Sequence, residues 1–156
     1  QGGHNFNDAS GAPTGNAFKL ALFSSNSASL GKGTTVYTAP ASANAVPTNT
    51  LEVSQSTTDG GASNSGYTAG GAALTASADP VLSGDTACVK FNDVSFTSAT
   101  FTARGCLLYN STAVTGFTTN RSVFSINFGA DKTVTSGTFT VQFPAQTAGN
   151  AIVQIA

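Results

Sequence analysis

The chain has 156 residues, enough for one domain to bury a core without metal or disulfide support. Only 8% of them are charged, against roughly 25% in an ordinary soluble domain, and the net charge is −1. Six cations spread singly over the chain make no phosphate-tracking stripe, which argues against nucleic acid as a partner. No apolar run approaches the ~20 residues that cross a bilayer, which argues against a membrane. No basic-then-apolar leader opens the chain, and Gln1 in place of Met predicts a processed start.

Residues 1–15 lack periodicity and are dense in Gly, Asn, Ser and Pro, which predicts an extended arm or loose terminus. Phe6 is its one aromatic and a candidate contact with a neighbouring subunit; a frayed end is the plainer alternative. Residues 16–23 form the first predicted strand, with Phe18, Leu20 and Leu22 on one face and Lys19 on the other. Residues 34–38 read as a short strand ended by Pro40. The long weak region 39–66 alternates convincingly only at 49–54, around Leu51 and Val53. The next stretch is G-Y-T-A-G-G-A-A-L-T at 66–75, where Gly70-Gly71 supplies a turn that tolerates positive φ.

A brief run at Val81-Leu82 and a strand at 86–91 lead to the clearest pattern in the chain, A-T-F-T-A-R-G-C-L-L-Y-N at 99–110. Alternation sets Phe101, Ala103, Gly105, Leu107 and Tyr109 on one face, and by Cys106 and Leu108 both faces are apolar. That predicts a strand at the centre of one sheet, entering from a solvated edge and ending buried between layers. Strands follow at 120–128 and 137–143, with G-A-D-K-T-V-T-S-G between them as a hairpin connection, and 151–155 closes the chain. The predicted core is Phe101, Leu107, Phe124, Ile126, Phe139, Val141 and Phe143.

No window shows a sustained helical period. Short strands spaced by turn signals predict an all-β fold, a single-domain antiparallel β-sandwich, jelly-roll-like, over residues 16–156 behind the arm 1–15. Cys88 and Cys106 would face each other in a hairpin centred on Thr97. The apolar parity, however, changes from odd (Val89, Phe91) to even (Val94, Phe96), so a bulge would separate them as two buried thiols.

Side chains for chemistry are sparse. His4 is the sole histidine, reads as an exposed loop residue, and supports neither a His-rich metal site nor a Ser-His-Asp arrangement. The seven carboxylates are Asp8, Glu52, Asp59, Asp79, Asp85, Asp93 and Asp131. Asp85 and Asp93 bracket one strand and could approach each other, although Asp at strand ends more commonly shapes turns. No phosphate-binding or calcium-binding loop is spelled out, so no catalytic, cofactor or metal residue is expected and the chain is read as a non-enzyme. Arg104, mid-strand, is the polar residue to single out. It either pairs within the chain, with Asp85 or Asp93, or contacts a neighbouring subunit.

Five pieces occur in order: F-K-L-A-L-F at 18–23, G-Y-T-A-G-G-A-A-L at 66–74, and V-K-F-N-D-V-S-F-T-S-A-T-F-T-A-R-G-C-L-L-Y-N at 89–110. The last two are I-N-F-G-A-D-K-T-V-T-S-G-T-F-T-V-Q-F-P-A at 126–145 and A-I-V-Q-I-A at 151–156. Together they resemble a group of small virion structural proteins of tailed bacteriophages. The resemblance implies a particle protein, read as a capsid decoration (cement) protein on the outer capsid surface. Such a protein would be a homo-oligomer, a trimer, whose partners are itself and the major capsid protein. A tail, neck or fibre component is the alternative, and a β-sandwich carbohydrate-binding module a weaker one, since the chain has no Trp and three Tyr.

Overall fold

The computed structural model describes residues 4–6, 15–24, 30, 33–37, 52–53, 66–75, 80–151 and 153–155. Its strands are β1 (Phe18–Phe23), β2 (Ala72–Leu74), β3 (Val81–Ser83), β4 (Thr86–Val89), β5 (Val94–Asn110), β6 (Arg121–Val141) and β7 (Val153–Ile155). They form two antiparallel sheets, one in the order β2-β1-β5-β6 and the other β3-β4-β7. The fold is therefore all-β and sandwich-like, as the strand-and-turn spacing predicts. β5 lies between β1 and β6, the central place its sequence pattern calls for.

β1 shows why one sheet carries two cores. Side chains alternate across a strand. Phe18, Leu20 and Leu22 enter the main cluster, with Phe91, Val94, Phe96, Phe101 and Phe143, while Ala21 and Phe23 face a second cluster with Tyr37, Leu107 and Tyr109. Buried on both faces, the last six residues of β5 are closed to solvent.

The face assignment along β5 needs correction. Val94 and Phe96 point into the main cluster from even positions, Ala99, Phe101 and Ala103 from odd ones, and Cys106 and Leu108 from even ones again. Both reversals coincide with register shifts against β6, between Phe96 and Ala99 and between Ala103 and Gly105. A bulge adds a residue and turns the following side chains over. Leu107 and Tyr109 consequently face away from Phe101. The second reversal is at Gly105, where a Cβ would stand 2.5 Å from the Ile126 carbonyl oxygen.

The predicted hairpin between 128 and 137 is also replaced. The two strands expected there are one, β6, because β5 runs unbroken beside both. Ala103 pairs with Lys132 and Gly105 with Asn127, so residues 128–131 bulge out opposite Arg104. The Gly129 N–H, at φ 78, donates to Asn127 Oδ1 at 2.8 Å and closes that bulge. Turn residues that elsewhere reverse a chain here only kink it. β6 is moreover the outer strand of its sheet, so Phe124, Ile126 and Phe139 are only partly buried, whereas Phe101, Leu107, Val141 and Phe143 are buried as expected.

Cys88 and Cys106 are buried free thiols in different sheets. The hairpin that would have apposed them does not form, since β4 pairs with β3 and β7. At 34–38, the short strand reduces to a bridge from Val36 to Arg121.

Candidate functional site

Glu52, the chain's single glutamate, is 1% exposed and sits among all three of its tyrosines. An isolated antiparallel bridge to Phe23 lays it alongside the end of β1. Tyr67 Oη donates to Glu52 Oε1 at 2.7 Å, and the Gly70 N–H donates to the same oxygen at 2.7 Å. Tyr37 Oη donates to Oε2 at 2.8 Å. Tyr109 does not touch the carboxylate; its hydroxyl donates to the Gly70 carbonyl at 2.8 Å, and its ring stacks on Tyr37 at 4.4 Å between centroids.

Local sequence builds this cradle. In G-Y-T-A-G-G, Gly70 (φ 88) and Gly71 (φ 73) both take the left-handed conformation that glycine adopts without strain. A side chain at Gly71 would run into the Leu20 backbone, so the turn can lie flat on β1 only with glycine there. Tyr67 then reaches across to accept from the Leu22 N–H at 2.9 Å while donating to Glu52. One turn thus ties the edge of β1, the carboxylate and β5 together.

Burial pushes the Glu52 carboxyl above its ordinary value of 4.5, while the hydrogen bonds from Tyr67, Tyr37 and Gly70 pull the other way. Burial, and next the Glu52 charge, push Tyr37 and Tyr67 well up and Tyr109 up to about 12, so all three remain donors. Among the described residues no Lys, Arg or His contributes to the Glu52 shift. The cluster is closed: its tyrosines are 5%, 8% and 2% exposed at positions 37, 67 and 109. Its matched hydrogen bonds hold neighbouring strands together.

Sequence reasoning missed this arrangement, naming Glu52 only as one of seven carboxylates, beside Leu51 and Val53, and giving it no role. The available signal was compositional. A lone glutamate between apolar residues, in a chain that uses charge so sparingly, is a poor candidate for a solvated position.

The two singled-out residues lie elsewhere. Phe6 stacks on Phe18 at 4.8 Å with ring planes 5° apart, and Asn5 exchanges hydrogen bonds with Asn16, so residues 4–6 dock on their own domain. Arg104 Nη1 lies 3.3 Å from Asp131 Oδ1, making Asp131 its partner in place of Asp85 or Asp93. His4 is not an exposed loop residue: it is half-buried, lies 3.2 Å from Asn110 Nδ2, and is lowered in pKa by burial and then by Arg121. Asp93 makes a long-range contact, its Oδ1 accepting the Phe143 N–H at 2.9 Å. Asp8, Asp59 and Asp79 lie outside the described residues.

A second feature is an open groove of about 430 Å³ along β6, apolar on Ile126, Phe128, Phe139 and Val141 and polar through Lys132, Thr140 and Gln142. Comparison with protein-family models, curated proteins and solved structures finds no match.

Proposed function

We propose that this chain is a virion structural protein of a tailed bacteriophage, a capsid decoration (cement) subunit that works by contact and catalyses no reaction. In this reading it forms a homo-oligomer, a trimer, on the outer capsid surface and bridges neighbouring major capsid subunits. A jelly-roll-like winding of the two sheets belongs to the same reading.

The observation that carries the proposal is the outer edge of the four-stranded sheet. β6 is 21 residues long and is the outer strand of its sheet; beyond the bridge from Val36 to Arg121 at its start, no described residue pairs with its outer side, and Phe128 and Phe139 are half-open to solvent beside the groove. Uncovered edges and apolar strips of this kind are features that subunit packing covers. With a net charge of −1, like copies repel weakly, and many modest contacts repeated over a closed lattice add up through multivalency. The phage setting itself rests on the sequence resemblance. The pieces that carry it include β1, the Gly70 turn, β5 and most of β6, the segments that build the core.

A sugar-binding platform of exposed tyrosines is disfavoured, because all three tyrosines are committed to the Glu52 cluster. The test is an image reconstruction of the intact particle, with heat stability of particles with and without the protein. Density for this chain on the outer head, together with loss of heat resistance on its removal, supports the proposal. Copies confined to tail or neck overturn the decoration role, and absence from the particle overturns the whole reading.

A further inference from the structure

The two oxygens of the Glu52 carboxylate are not equivalent. Oε1 accepts from Tyr67 and from the Gly70 amide, and an amide hydrogen cannot reverse its role. Among the described residues Oε2 has one partner, the Tyr37 hydroxyl, which can donate or accept. A proton placed on Oε2 would therefore keep the Tyr67 and Gly70 bonds and the Tyr37 contact, with Tyr37 turning from donor to acceptor and its own hydroxyl hydrogen turning away from the carboxyl. A proton on Oε1 would instead oppose the Gly70 amide, which can only donate, and compete for the Tyr67 oxygen, which already accepts the Leu22 N–H. Among the described residues, the groups around the carboxylate are Tyr37 from 33–37, Tyr67 and Gly70 from the 66–71 turn, and Tyr109 behind them on β5, stacked on Tyr37. β1 faces it with Phe23 and Leu22, neither ionisable. Among the described residues the site is thus a buried anion surrounded by neutral donors, a state that costs desolvation without the attraction of a cation.

We propose that Glu52 and Tyr37 form a proton-responsive clamp, in which uptake of one solvent proton on Oε2 removes the buried charge and tightens the hold of residues 33–37 and 66–71 on the edge of β1. The direction follows from linkage. A carboxyl that is easier to protonate folded than unfolded lends stability that is fully present below the unfolded value of 4.5 and lost as pH rises through the folded value. The domain accordingly gains stability on going from neutral to mildly acidic pH through this group. His4 works in the opposite sense: held neutral by burial, it costs stability as pH falls from 6.5 through its lowered value. The Glu52 contribution must therefore be isolated by substitution. The clamp needs only the isolated chain and is independent of the assembly proposal.

Because the chain has one glutamate, labelling that residue type with 13C at the side-chain carboxyl gives a single resonance to titrate in the full-length protein. The expected midpoint lies above 4.5, and thermal midpoints of the wild type should rise, relative to Glu52→Gln, as pH falls through it. Glu52→Gln places an amide where the protonated carboxyl would be, so it should fold and show no such dependence. Tyr37→Phe should move the carboxyl midpoint further up, because the anion loses its Tyr37 donor on Oε2. A resonance titrating at or below 4.5, or parallel melting profiles for wild type and Glu52→Gln, overturns the clamp. An unmoved midpoint in Tyr37→Phe overturns the assignment to Oε2. If Glu52→Gln does not fold, the wild-type titration decides alone.

Discussion

Beside the end of β1, toward the β2 side of the four-stranded sheet, the buried groups are polar and partnered, whereas along the outer strand β6 the side chains are apolar and half-open. Glu52 accepts three hydrogen bonds in an enclosed cluster, while Ile126, Phe128 and Phe139 line an open groove on the outer strand of the sheet. Burial and polarity are thus inverted between the two sides of the sheet. The contrast separates two jobs. A polar cluster with all its donors matched fixes one arrangement of strands, because any shift leaves a buried group unpaired. An apolar strip left open does little for the isolated fold and is available to other chains.

The largest effect should come from emptying the inner site. Glu52→Ala strands two tyrosine hydroxyls and an amide, and at about 1–3 kcal/mol for each orphaned group it should cost on the order of 3–5 kcal/mol in urea unfolding. A loss under about 1 kcal/mol would mean the cluster does not hold the fold. Next come two phenylalanines of equal size that touch each other at 5.1 Å between centroids. Phe101 is 3% exposed and should cost on the order of 3–5 kcal/mol as Phe101→Ala. Phe139, only partly buried, should cost about half of that or less as Phe139→Ala. Equal losses would show that β6 is as much core as β5. The smallest effect belongs to Arg104→Ala. Its ion pair with Asp131 has side chains 41% and 46% exposed, so solvent screening limits the loss to below about 1 kcal/mol, falling further with added salt.

How much of this was legible in the sequence depends on the range of the interaction. The all-β class, the central place of 99–110 and its burial by Cys106 and Leu108 follow from local alternation, which one strand carries by itself. The positive φ of Gly70 and Gly71 is local as well. The bulges were not legible. Asn127 and Gly129 spell a turn, and only the unbroken β5 beside them makes it a kink in one strand. The half-open state of Phe124, Ile126 and Phe139 depends on which strand lies outermost, which alternation does not encode. The Glu52 site joins residues 37, 52, 67, 70 and 109, and no spacing rule links them. Only the rarity of glutamate and tyrosine in the chain hinted at it.

The division between a fold-holding side and an assembling side is tested most directly by sedimentation velocity, comparing the wild type with the doubly substituted Phe128→Ser, Phe139→Ser chain at the same concentration. The account predicts that the wild type sediments as a closed oligomer, the size of a trimer, and the substituted chain as a monomer that retains its β-sheet circular dichroism. A monomeric wild type, or an oligomer unaffected by both substitutions, would contradict it.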